Sequence, residues 1–361
     1  SPGRLTINNK VIFAGSSTFT VELDSATVAE GYDQLQITGA NRAVALNNAA
    51  LQVVLGFVPD PSNSFVIIDN LDRTTSVVGT FNGLNEGDQF YIGEIEFTIT
   101  YVGGDGNDVV LLLADTQLTI EDGNLVITDI GGAAGDTDDG LTIWSDVIQS
   151  RYVVRDPGYI VVPNGIPTAS RPDNNTVHIP FDVVTGDQII FNLLAGQDSL
   201  TIDFSLGDFS KQILYLGGNP TEGSGDSLAL QGGGAFSSVV YAFSNASDGT
   251  IDVSDNATIT YVGLEPIIDN LSVAHRAFTF DGGAETISLS DDGVAANGKS
   301  RIDSPLAEVV TFTNPTTSLT INAGSGDATV SLDGLDADFS ASLIVYDDSG
   351  TVKVTLLSTL P

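Results

Sequence analysis

The chain has 361 residues, no cysteine, no methionine, and 47 acidic against 12 basic side chains, a formal net charge of −35. That balance leaves no Lys/Arg stripe for nucleic-acid phosphates and disfavours anionic membrane surfaces. The missing cysteines exclude disulfides, zinc–thiolate centres, iron–sulfur clusters and a thiol nucleophile.

With hydrophobic residues at 42%, the chain is a folded acidic protein, not a disordered acidic tail. No apolar run is long enough to cross a bilayer. At about 150 residues per domain, the length suggests two domains. The absence of even an initiator Met leads us to expect a mature product or a segment of something longer.

Helical periodicity is nearly absent, and period-2 alternation runs throughout. In chain order it predicts strands at Leu5–Ile7, Thr18–Leu23, Gln34–Ile37, Glu96–Tyr101, Ser199–Ile202, Thr258–Tyr261 and Ser318–Ile321. Each would turn its Leu, Ile, Val or Phe inward and its Thr, Ser or Gln to solvent. A boundary is expected near 113–118, giving domains at 1–115 and 116–361. The stretch 155–180, with Pro157, Pro163, Pro167, Pro172 and Pro180, reads as an extended loop or insertion in the second domain.

A small-residue turn carrying an acid and running straight into an alternating strand recurs six times. The acids are Asp105 with Asp108, Asp136 with Asp138 and Asp139, then Asp198, Asp226, Glu285 and Asp327, spaced 28 residues from 198 to 226 but 42 from 285 to 327. Glycine permits the tight corner, and the next strand can stack on the preceding coil. The fold expected is all-β, a parallel β-helix or solenoid with irregular coils. Hairpin turns in β-sandwiches are the alternative.

Residues 103–111 read G-G-D-G-N-D-V-V-L and fit the calcium-repeat pattern G-G-x-G-x-D-x-U-x once. Asp105 and Asp108 would supply hard oxygen ligands. Asp136, Asp138 and Asp139 form a denser acidic cluster, as do Asp291 with Asp292 and Asp333 with Asp336 and Asp338. Like charges this close either splay into solvent or hold a cation. Calcium is therefore the expected ion at Asp105, Asp108, Asp136, Asp138 and Asp139, set against plain Gly-Asp turns. No catalytic constellation emerges. His178 and His275 lie far apart in sequence with no nucleophile motif beside either.

Residues 1 to about 113 carry a further signature, in order: P-G-R-L-T-I-N over 2–8, S-T-F-T-V-E-L over 17–23, G-Y-D-Q-L over 31–35, G-T-F-N-G-L-N-E-G over 79–87, and the run Tyr101–Leu113. This block resembles the terminal module of autotransporter-associated β-strand repeat proteins, which are large secreted bacterial surface proteins. The remainder resembles the β-rich bodies of giant adhesin-like proteins, which carry degenerate hemolysin-type calcium repeats. The resemblance implies right-handed parallel β-helices and β-sandwiches, export, and adhesive or matrix roles, with no catalytic motif to transfer.

The function expected is a non-catalytic extracellular structural protein of a bacterial surface, matrix or filament. Coil ends or edges would self-associate into a filament or lattice, and neither nucleic acid nor membrane insertion is involved. The alternative is a glycan-binding adhesin segment using Trp144, Tyr152 and Tyr159 near an Arg-containing loop. A polysaccharide lyase or hydrolase ranks third, with Arg151, Arg155 and Arg171 as the basic residues near one another.

Overall fold

The computed structural model describes all residues except 40–42, 60–62, 73–74, 94, 105, 132–137, 219–224, 281–282 and 358–361. It is all-β. Among the described residues the helical elements are two single 3-10 turns, Phe181–Val183 and Phe204–Leu206. The chain divides into two compact units, one of Ser1–Asp115 with Gly131–Ala133 and one of Thr116–Ile130 with Ala134–Pro361.

In the first unit the chain repeats a circuit of three strands. Arg4–Ile7, Val11–Ile12 and Thr18–Leu23 are followed by Gln34–Ile37, Val44–Ala45 and Ala50–Leu55, each pairing in parallel with its counterpart. Val11 stands opposite Val44 and Val44 opposite Val77, an interval of 33 residues each time. The alternation in the sequence sets the layers. Val21, Leu23, Ile37 and Leu46 point into a core with Phe65, Phe81, Phe97 and Leu111. Outward positions stack their polar side chains instead, as where Thr6 donates to Gln36 (3.4 Å) and Gln36 to Asp69 (2.9 Å).

The parallel order then ends. Ser64–Asn70 pairs antiparallel with Asp108–Leu113, which pairs antiparallel with Ile95–Gly103. Leu5 departs from the expected inward placement and is 62% exposed. Its strand is the edge of its sheet, with a neighbour on one side. Thr98 and Thr100 depart the other way and are buried, because Ile95–Gly103 is an interior strand covered on both faces.

The second unit is built from an 11-stranded and a 12-stranded sheet, with the chain passing alternately from one to the other. Asn124–Asp129, Gln188–Asn192 and Gln212–Leu216 are parallel neighbours in the first sheet. Their successors Gly140–Asp146, Ser199–Asp203 and Asp226–Gln231 are parallel neighbours in the second. Each sheet also takes antiparallel excursions, among them Phe236–Phe243 with Gly249–Val253 and Thr286–Asp291 with Lys299–Ser304. Two successive reversals return the chain to its original direction.

These excursions explain the uneven spacing of the acidic turns. Ser199 faces Ser227, 28 residues on, after a simple circuit. Thr286 faces Thr329, 43 residues on, because the Lys299–Ser304 excursion intervenes. The residue opposite Glu285 is thus Ala328, and Asp327 falls one place out of register. The two inner faces make one core, in which Leu141, Ile143, Leu200, Ile202, Leu228 and Leu230 meet Ile189, Phe191 and Ile213.

The proline-rich stretch is not a loop. It contains strands Val161–Pro163, Ser170–Asp173 and Thr176–Pro180. Val161–Pro163 and Ser170–Asp173 are the edge strands of the two sheets. Pro163, Pro172 and Pro180 are tolerated there because an edge or a strand end does not need every backbone donor.

Candidate functional site at an acidic corner of the second unit

Three circuits of the second unit enter their second-sheet strand through an aspartate. Because Gly140, Ser199 and Ser227 are in register, the residues before them, Asp139, Asp198 and Asp226, form one column. The Asp198 and Asp226 carboxylates each reach back one strand. The Asp139 N–H donates to Asp198 Oδ1 (2.8 Å), and the Asp198 N–H donates to Asp226 Oδ1 (2.7 Å). All three side chains are buried. The column ends where Leu264 stands opposite Asp226. Asp156 adds a fourth buried carboxylate, accepting the Gly140 N–H at 3.0 Å and the N–H groups of Gly158 and Tyr159.

Neighbouring strands lie about 4.8 Å apart, so stacked carboxylates repel strongly where water is excluded. Burial pushes the Asp198 carboxyl up to about 8 against the pull of the Asp139 N–H, and Asp226, Asp129 and Asp138 raise it further. Burial likewise raises Asp226, to about 6. Tyr215, from the facing sheet, is fully enclosed. Burial drives its hydroxyl well above its ordinary value, and the charges of Asp226, Asp198 and Asp139 push the same way.

Of the calcium ligands expected from sequence, Asp105 and Asp136 lie outside the described residues. Asp108 belongs to an antiparallel hairpin of the first unit, where its Oδ1 accepts the Asn70 N–H at 2.8 Å. Asp138 is exposed and its Oδ1 accepts the Gln197 N–H at 2.8 Å. Asp139 joins the buried column. The remaining clusters serve turns. Asp336 accepts from the Asn297 and Asp338 N–H groups, and Asp291 from the Gly293 N–H.

Asp198, Asp226 and Tyr215 are the members the sequence reading did not select. The shared A-G-Q-D-S-L and G-S-G-D-S-L turns carried the signal for the two aspartates. Nothing local marks Tyr215, because its role depends on the facing sheet.

No family model, curated protein or solved structure matches this chain. Its chemistry therefore rests on the geometry. Trp144 and Tyr152 sit on opposite faces of their sheet, since Tyr152 points into the core and pairs in register with Ser145. The three aromatics Trp144, Tyr152 and Tyr159 thus do not make a single exposed platform. His178 is held by Arg151 (2.8 Å) and His275 by Ser318 (2.8 Å). Burial and the Arg151 charge lower the pKa of His178.

A groove of about 610 Å³ on the second unit is lined by Glu265, Pro266, Arg301, Ser304 and Glu308 among others. The Glu308 carboxyl is sealed from solvent, its Oε1 accepting the Val309 N–H at 2.8 Å. Among the described residues no helix is long and apolar enough to cross a membrane.

Proposed function

We propose that the chain is a non-catalytic structural segment of an extracellular bacterial surface, matrix or filament, and that both units are stacked coils of the parallel β-helix kind. Its work is assembly through the ends of the stacks. The observation carrying this reading is the exposure, among the described residues, of apolar side chains in the last described circuit of the second unit. Val330 and Leu332 are 0% and 3% exposed, whereas Val354 and Leu356, paired with them in the next strand, are 47% and 62% exposed. The first circuit of the first unit is open in the same way, with a cleft of about 390 Å³ lined by Leu5, Ile7, Val11, Phe13 and Phe19.

Unpaired parallel edges with an apolar rim are templates for further strands. An exposed circuit of one copy meets the same circuit of another, a contact that is two-fold symmetric. The acidic exterior keeps the material soluble and makes its packing responsive to salt.

Sedimentation at rising protein concentration should show association beyond the monomer. Replacing Val354 and Leu356 together with lysine should remove the second-unit contact with little change in melting temperature, since both side chains are already half in water. A wild-type chain that stays monomeric at the highest attainable concentration overturns the reading.

A further inference from the structure

The acidic corner contains unmet hydrogen-bonding capacity. Asp198 and Asp226 each use Oδ1 on a backbone N–H, and each has Oδ2 sealed from solvent with no hydrogen-bond partner. The Tyr215 hydroxyl, from the facing sheet, is equally sealed and equally without a partner. Tyr215 shares the face of its strand with Gly217, whose backbone lies against Asp226. Gly217, two residues beyond Tyr215, passes hard against this group. A Cβ there would lie 2.7 Å from both Asp226 Oδ2 and the Gly263 carbonyl oxygen.

Buried polar atoms of this kind require an occupant. The Tyr215 hydroxyl makes no hydrogen bond to either Oδ2, so all three sealed oxygens stay unmet. Water would supply hydrogen bonds but no positive charge against the carboxyl groups. Among the described residues, every charge acting on Asp198, Asp226 and Tyr215 is acidic. A buried charge without a counter-charge costs several kcal/mol. An occupant that both bonds oxygen and carries positive charge meets both demands.

We infer that the corner bounded by Asp198, Asp226 and Tyr215 binds a hard divalent cation of the calcium class. All its donors are oxygens, which suits calcium and excludes the softer metals that need nitrogen or sulfur. The site lies on the inner side of the corner, at residues other than the five aspartates expected from sequence to hold calcium. It does not depend on the assembly reading, because it concerns the interior of one unit.

Thermal unfolding of the whole chain, in calcium chloride and in EDTA, tests this. Calcium should raise the melting of the second unit by about 5 °C at saturating concentration. Asp198→Asn and Asp226→Asn keep an Oδ1 acceptor for the backbone N–H but lose the charge. Each should abolish most of the calcium-dependent shift and remove one tightly bound calcium per chain, measured by emission spectroscopy after gel filtration. Asp255→Asn, at an exposed turn position, should keep the shift and so measures surface screening.

If the aspartate variants fail to fold, Tyr215→Phe removes only the hydroxyl and should weaken the shift. Equal shifts in wild type and Asp198→Asn, or in wild type and Tyr215→Phe where the aspartate variants are unfolded, overturn the site.

Discussion

Replacing Arg276 with methionine is expected to destabilise the second unit by about 3–5 kcal/mol, the largest single-residue loss outside the hydrophobic core. Arg276 lies in Val273–Thr279, and its side chain, like that of Asp269, is completely enclosed. The guanidinium makes an ion pair with Asp269 and donates to the Leu271 carbonyl (3.2 Å). It also sits 5.3 Å from the centre of the Phe312 ring. The aspartate is engaged from other sides too, by the Tyr241 hydroxyl (2.7 Å) and the Leu271 N–H (2.8 Å).

Burial lowers the pKa of Arg276 to about 10, so it stays charged at neutral pH. Methionine fills most of the volume but abandons Asp269 as a lone buried anion, and that penalty dominates. Adding Asp269→Asn keeps the Leu271 and Tyr241 bonds while removing the stranded charge. The double variant should therefore recover at least half of the loss in chemical denaturation. A single variant that loses less than about 1 kcal/mol would show that the pair does not hold these strands.

Arg276 also shows where sequence reading stops. Thr18–Leu23, Gln34–Ile37 and Ser318–Asn322 are legible because alternation of apolar and polar residues is itself the physical cause of the strand. The run Arg276, Phe278, Phe280 obeys the same parity and is wholly buried, yet an arginine at an inward position looks like a break in the pattern. Its partner Asp269 comes from the other sheet, which no local window contains. The prolines of 155–180 misdirect for a related reason, because they forbid a central strand but permit an edge.

The acidic corner was half legible. The 28-residue interval between Asp198 and Asp226 is one circuit, visible as a repeat. Inward placement of both carboxylates, and their meeting with Tyr215, follows only from the register of two sheets. Leu5, Val354 and Leu356 carry inward-type side chains whose exposure depends on what stacks beyond them, so alternation alone could not place them.

Stability of the second unit should fall as pH rises from about 5 to about 8, and Glu308→Gln should remove a distinct share of that fall. Glu308 stands at an inward position of Ala307–Thr313, and burial raises its carboxyl to about 8. The Val309 N–H opposes this, while Glu265 and Asp303 add to it. In the unfolded chain the same group loses its proton near 4.5. Between those values the folded state holds one proton more than the unfolded state, so the pH derivative of stability is negative. The contribution is complete below about 4.5 and is lost as pH passes through about 8.

Each unit of pKa difference corresponds to about 1.4 kcal/mol. Allowing for water in the adjoining groove, a loss on the order of 2 kcal/mol is expected. Glutamine has the shape of the protonated acid and cannot ionise. At pH 5 the variant and wild type should unfold at nearly the same denaturant concentration. At pH 9 the variant should be more stable by on the order of 2 kcal/mol. Asp198 and Asp226 titrate in both proteins, so the difference between the two pH profiles isolates Glu308. Parallel profiles would mean that the folded protein already ionises Glu308 near its ordinary value, with water reaching a carboxyl that the fold seals.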